Sequence, residues 1–184
     1  MAYHSPMTTE AATSEQDRAE LMIRHARPGD LARINDIYNH YVRETPITFD
    51  LVETPLSDRE AWFERFAEQG RQQLFVAEEG GVVLGCAYSY RFRDRAAYDT
   101  TIETTVYCDA AATGRGLGTA LYDTLFAAIA NENVHIAIAG ITLPNPASVA
   151  LHERFGFQLV GVTHEVGYKF GRYWDVAWYE RRLA

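Results

Sequence analysis

The stretch T-G-R-G-L-G-T-A-L-Y, residues 113–122, sets glycines at 114, 116 and 118 directly in front of a helical pattern. A glycine-rich turn that opens a helix exposes backbone N–H groups at the positive end of the helix dipole, which attracts anions such as phosphate. Two familiar phosphate cradles are excluded by spacing. A dinucleotide turn would read G-x-G-x-x-G in the first strand–helix–strand unit, whereas here Thr119 stands at the third glycine's place and the turn lies past mid-chain. A Walker A loop would end in Gly-Lys-Ser/Thr, and this turn has no lysine. Taken alone, the glycines are either an anion cradle or simply a tight passage from strand to helix.

Working outward, the order of elements is legible from periodicity. L-M-I-R-H-A-R-P-G-D at residues 21–30 starts the domain as a first strand. Leu31, Ile34, Ile37, Tyr38 and Tyr41 then recur at three- and four-residue spacing and predict an amphipathic helix. S-D-R-E-A-W-F-E-R-F-A-E-Q-G, residues 57–70, predicts a second helix with Ser57 and Glu60 as a capping box and Gly70 as its stop. Two apolar runs around Glu79-Gly80-Gly81 predict a hairpin. The β-branched run at residues 100–109 predicts a further strand, and Leu117, Leu121, Leu125 and Ile129 mark one face of the helix after the turn. V-H-I-A-I-A-G-I-T-L, residues 134–143, reads as a buried strand. In the segment after it, Asn145 can cap a short helix with Pro146 in its first turn. Two strands around a Gly171-Arg172 turn complete the chain. This order gives an α/β fold of the α+β type, a mixed sheet without the strict alternation of a doubly wound domain. One domain is expected over residues 21–184, preceded by a flexible tail at 1–20.

Composition narrows the partners. The 184 residues include 11 Tyr, 9 Phe and 3 Trp, and 47% are hydrophobic, so a sizeable core is available. A net charge of −8 argues against nucleic acid or an anionic membrane as the main partner. No apolar run is long enough to span a bilayer, and the N-terminus has no secretory h-region. Cys86 and Cys108 form neither a C-x-x-C pair nor a His/Cys cluster, so no metal and no disulfide framework are expected, and a cytoplasmic location follows.

The neighbours of the turn carry a more specific signal. A strand ending T-V-Y-C at 105–108, the turn at 113–118 and the later N-P-A-S-V-A-L-H-E-R-F-G-F at 145–157 together resemble the GCN5-related N-acetyltransferase (GNAT) family. The family's acetyl-CoA motif, Gln/Arg-x-x-Gly-x-Gly/Ala, is met with Thr113 in place of the usual Gln or Arg. Its later motif is met from Asn145 through Ser148, Leu151, Gly156 and Phe157. His152 stands where Tyr is usual. That histidine, with N-H-Y-V, R-D-R-A-A-Y-D and the C-terminal K-F-G-R-Y-W-D-V-A-W-Y-E, resembles the phosphinothricin/methionine sulfoximine acetyltransferase branch.

The resemblance implies a mixed, mostly antiparallel twisted sheet flanked by about four helices, with splayed central strands holding acetyl-CoA. It implies that Gly114, Arg115, Gly116, Leu117, Gly118 and Thr119 hold the coenzyme pyrophosphate. Val106, Tyr107 and Cys108 would hold the pantetheine arm through their backbone, with Asn145 opposite. Glu103 falls at the branch's catalytic base, and an acid among Thr, Ile and Val in a strand is locally disfavoured; by pattern alone it equally fits a polar solvent face. His152 falls beside the coenzyme sulfur as a general acid or second base, and a packing histidine fits the same helix. Arg93, Arg95, Tyr98, Thr105 and Phe49 fall on acceptor-binding positions. Guanidinium forks suit carboxylate, phosphinate or sulfoximine oxygens. The implied activity is acetyl transfer to the α-amino group of a small amino-acid-like substrate by a homodimer. Alternatives are a protein N-terminus, lysine or polyamine acceptor, or a non-catalytic acetyl-CoA-binding module. The C-terminal Y-W-D-V-A-W-Y fits either a subunit interface or an inner strand pair.

Overall fold

The computed structural model describes residues 20–183. The tail expected at 1–20 therefore lies outside the described residues, apart from Glu20. Strands are β1 (Leu21–His25), β2 (Leu74–Glu79), β3 (Val82–Arg91), β4 (Thr101–Cys108), β5 (Ile136–Thr142), β6 (Gln158–Lys169) and β7 (Arg172–Arg182). Helices are α1 (Leu31–Glu44), α2 (Leu56–Phe63), α3 (Leu117–Ile129) and α4 (Pro146–Arg154). The elements follow the order read from the sequence.

The strands form one seven-stranded sheet in the order β1-β2-β3-β4-β5-β7-β6. Every neighbouring pair is antiparallel except β4 and β5. Their parallel ladder holds only Thr101↔Ile136, Ile102↔Ala137 and Glu103↔Ile138. Beyond Glu103, β4 continues on β3 as far as Cys108↔Gly85, while β5 continues on β7 as far as Thr142↔Val176. Each strand keeps its outer partner, the twist carries the two halves apart, and a notch opens between them.

One apolar layer lies on each face. On one side α3 buries Leu117, Leu121, Leu125 and Ile129, the stripe expected from spacing, against Phe75, Ala87, Ile102 and Ala139. On the other, Leu31, Ile34 and Ile37 of α1 cover Leu74, Val76, Val83 and Cys86.

Two local expectations are corrected. The residue before α2 is Pro55, with no side-chain cap, and the Ser57 hydroxyl lies against Asp58 rather than a backbone donor, so the Ser57–Glu60 capping box does not form. The helix also ends at Phe63, well before Gly70. Arg59 instead anchors it: the guanidinium is buried, donates to Asn35 Oδ1 (3.2 Å) and stacks between Tyr38 and Trp62 at 4.5 and 4.6 Å from their ring centres. Y-W-D-V-A-W-Y is an inner strand, because β7 lies between β5 and β6.

Leu121 has no exposed surface. Leu121→Ala is expected to cost about 3 kcal/mol, read in urea as a lower midpoint at unchanged m-value.

Candidate active site

The notch encloses a cavity of about 350 Å³ lined by β4, β5, the start of α4, the α1–α2 segment and β6. Alternation along β4 gives it two chemically different sides. Tyr107 packs against Tyr38 and Tyr41 of α1, so Glu103, Thr105 and Tyr107 face the α1 side. Val106 lies near α3, and Thr104 stands beside the Tyr122 hydroxyl of α3, so these two face the other side. The Thr104 hydroxyl is buried there, within the influence of the Tyr122 hydroxyl.

Glu103 sits where the ladder ends and lines the cavity. Loss of water raises its pKa above the usual carboxylate value, and the positive charge of Arg93 acts in the opposite direction. Arg93, Arg95 and Tyr98 lie on the exposed segment between β3 and β4 and do not line the cavity. Arg93 stacks on Phe92 at 4.3 Å, and Tyr98 meets the same ring edge-on at 5.7 Å. Of the acceptor positions implied by resemblance, Phe49 and Thr105 are in the wall itself.

On the opposite side, His152 is 3% exposed. Its Nδ1 lies 2.7 Å from the Ser148 carbonyl oxygen, an acceptor, so Nδ1 carries the proton and donates. Nε2, 3.0 Å from the Tyr122 hydroxyl, then accepts. Burial lowers the pKa of His152, only partly offset by the bond to Ser148. Both ring nitrogens are thus engaged inside the fold and the imidazole is neutral. Asn145 caps α4, its side-chain oxygen accepting from the Ser148 N–H at 3.1 Å, and it also lines the cavity.

Val106 and Tyr107 line the cavity, whereas Cys108 lies beyond it and its carbonyl already accepts from the Tyr41 hydroxyl at 2.6 Å. Burial pushes the Cys108 thiol up to about 11 and the Cys86 thiol up to about 12, so neither is a nucleophile. Asp109 next holds the start of the glycine turn: it accepts the Ala111 N–H at 2.7 Å and pairs with Arg33 of α1.

In the turn, Gly114 and Gly116 have φ of +76° and +79°, values that L side chains rarely adopt. Gly116 is the N-cap, and Ala120 N–H closes on its carbonyl at 3.1 Å, which leaves the first-turn amides of α3 open for an anion. Gly118 differs: a Cβ there would sit 3.1 Å from Leu151, so it serves the packing of α3 on α4. Arg115 pairs with Glu79 of β2 at 2.6 Å.

Val166 in the wall, and Tyr122 bonded to the lining His152, escaped the sequence. Val166 enters from a bulge in β6 between Thr163 and Gly167, where Glu165 takes φ +52° and Asp175 accepts its N–H at 2.8 Å. Tyr122 ends the quoted stretch and reads as core; only the pairing of α3 with α4 reveals its hydroxyl.

Residues 23–178 match the family model of the GNAT acetyltransferase domain. A phosphinothricin N-acetyltransferase of Streptomyces coelicolor is 52% identical over 90% of this chain and 98% of the relative. An L-methionine sulfoximine/L-methionine sulfone acetyltransferase of Pseudomonas paraeruginosa is 35% identical over 88% of this chain and 94% of the relative. The crystal structure of a Sinorhizobium meliloti phosphinothricin acetyltransferase in complex with acetyl-CoA superposes with a TM-score of 0.84 at 32% identity, covering 89% of each chain. The protein belongs to the GNAT acetyltransferase family. Among the described residues no His, Cys, Asp and Glu cluster is placed to hold a metal, and no helix is long and apolar enough to cross a membrane.

His152 is expected to stay neutral through pH 6.5 as the Nδ1–H tautomer, which ¹⁵N-edited imidazole spectra would read; titration at or above 6.5 would contradict the assignment. A histidine held neutral must bind a proton on unfolding at acid pH, so its contribution to stability is lost as pH falls below the unfolded value of about 6.5.

Proposed function

We propose that the protein is an acetyl-CoA-dependent N-acetyltransferase acting on the α-amino group of a small amino-acid-like acceptor, of the phosphinothricin, methionine sulfoximine or methionine sulfone type. The observation that carries this is that one strand, β4, holds a desolvated carboxylate in the notch where its ladder with β5 ends, and leads beyond Cys108 into the glycine turn with the free first-turn amides of α3. The residues suit the coenzyme: strand backbone released from β5, and a helix N-terminus whose first-turn amides have no partner of their own. A cavity of about 350 Å³ is small among ligand pockets and suits a compact acceptor. The names of the relatives support the same acceptor class.

Acetyl-CoA, when bound, supplies the activated acetyl group. Gly114, Gly116, Leu117 and Thr119 hold its pyrophosphate through backbone amides, and Gly118 keeps α4 close. Arg115 contributes positive charge from its pair with Glu79. Val106 and Tyr107 present backbone along the pantetheine arm, Asn145 faces them, and Cys108 closes the end of the strand. Glu103 takes a proton from the acceptor ammonium, directly or through water, because only the free amine is nucleophilic. A raised pKa makes the carboxylate a better base than an exposed glutamate. Arg93 stands near Glu103 and, with Arg95 and Tyr98, engages the anionic end of the acceptor; Phe49 and Thr105 form its wall. His152 has no free nitrogen to act as a second base. We assign it the task of holding Ser148 and Tyr122 against the donor side of the notch.

Exposed Val166, Tyr168, Phe170 and Tyr173, beside Leu51 and Val52, favour a homodimer through this face, which light scattering would read as twice the 20.8 kDa chain mass. Two unpaired thiols suit a reducing cytoplasm.

Thiol release with phosphinothricin, methionine sulfoximine, methionine sulfone, polyamines and a peptide panel tests the proposal. Turnover confined to polyamines or peptides would replace the acceptor class, and none despite coenzyme binding would remove the enzymatic assignment. Glu103→Gln is expected to lower kcat by about 10²-fold or more. The same variant should be more heat-stable than wild type at pH 8. A carboxyl with a raised folded pKa contributes most below its unfolded value and loses that contribution as pH rises through the folded one, so the advantage should vanish toward pH 4. Gly116→Val should raise the acetyl-CoA KM by about tenfold or more while leaving the acceptor KM unchanged, since it strains an αL position and crowds the amides.

A further inference from the structure

The acceptor wall is carried by residues 45–55, a segment between α1 and α2 with no regular structure. Such segments are ordinarily mobile unless their backbone groups are tied down. Here they are tied on both sides. Asp50 N–H donates to the Thr48 hydroxyl (3.3 Å), which donates to the Tyr38 oxygen (2.9 Å); Tyr38 in turn donates to Asp50 Oδ2 (2.5 Å). The three groups close a ring. Thr54 exchanges two hydrogen bonds with the Asn39 side chain at 2.9 and 3.0 Å and takes a third from Asn35 at 2.9 Å. All of these anchor the segment to α1.

The tie to the other half of the sheet comes from β6. Gly167 and Lys169 are both buried while Tyr168 between them is exposed, the two-residue period of a strand. A Cβ at Gly167 would overlap the Phe49 ring, so that ring lies directly on strand backbone. Two residues on, Lys169 is 4% exposed and donates to the Thr48 carbonyl at 2.7 Å. Trp174 Nε1 donates to the Lys169 carbonyl at 2.8 Å and steadies the strand end from β7. An ammonium is expensive to bury, and neither Glu103 nor the coenzyme elements described above use this one. It grips the residue between Ile47 and Phe49, all three of which line the cavity.

We propose that Lys169 is a positioning residue for the acceptor site: through the Thr48 carbonyl, and together with the Phe49–Gly167 contact, it holds segment 45–55 across the notch and sets the size of the acceptor pocket. This rests on the acceptor assignment made above, and the experiment separates the two. Lys169→Met keeps the apolar stem and removes the donor. Gly167→Ala displaces Phe49 from the same wall by a different contact.

Both variants are expected to raise the KM for methionine sulfone or phosphinothricin by about tenfold, the scale of one charged hydrogen bond, with the acetyl-CoA KM within about twofold of wild type. Amide exchange over residues 45–55 should accelerate without a change in the α3 core. A folded variant with unchanged acceptor KM and unchanged exchange would overturn the proposal. Equal rises in both KM values, or loss of folding in both variants, would also overturn it, because the contacts would then serve the core at large. Wild-type protein that acetylates none of the acceptors would remove the acceptor assignment, while exchange in segment 45–55 still reads whether Lys169 holds it.

Discussion

The parallel ladder between β4 and β5 stops after three residue pairs, and the function depends on that stop. Two half-sheets, each paired through its own outer strands, need not stay paired with each other once twist has separated them. What they leave is a cleft with strand backbone on one wall and the capped start of α4, Asn145 and Ser148, on another. Backbone groups not used in the ladder are strong donors and acceptors, so the same break that creates space also creates binding capacity.

Desolvation in that cleft acts on two titratable groups in opposite senses. It raises Glu103 and lowers His152, in each case favouring the neutral form. The environments nevertheless separate their roles. Glu103 meets the positive charge of Arg93 and makes no side-chain hydrogen bond among the described residues. His152 is bonded at both nitrogens by Tyr122 and Ser148, so its proton is held. Glu103 faces the α1 side of β4, while His152 of α4 is held by Tyr122 of α3.

The polar groups around residues 45–55 show how an irregular segment becomes part of a rigid site. A closed ring of Thr48, Tyr38 and Asp50, a doubly bonded Thr54 and a buried lysine satisfy backbone groups that a helix or ladder would otherwise take. The half-buried Glu103 carboxylate and the buried Lys169 ammonium both oppose folding, and the apolar layers of α1 and α3 offset them.

Local pattern determined most of the fold. The stripe Leu117, Leu121, Leu125 and Ile129, the Gly80-Gly81 hairpin and the Asn145 cap each follow from chemistry within a few residues, and each is found. The turn at 113–118 was legible as a glycine-dependent passage into a helix, because its positive φ values and open amides are properties of the turn itself. The α2 capping box failed because Ser57 lies inside the helix, and Arg59 fixes that helix by stacking on Tyr38 and Trp62, rings that sequence alone does not bring together. The site divides the same way. Glu103 and the glycines stand out in sequence, since an acid in an apolar strand and a G-x-G-x-G run are local anomalies. The locked state of His152, the placement of Val166 by a bulge and the grip of Lys169 on Thr48 across 121 residues were decided only by tertiary structure. Those depend on which elements face each other, and no period or spacing in a single chain carries that information.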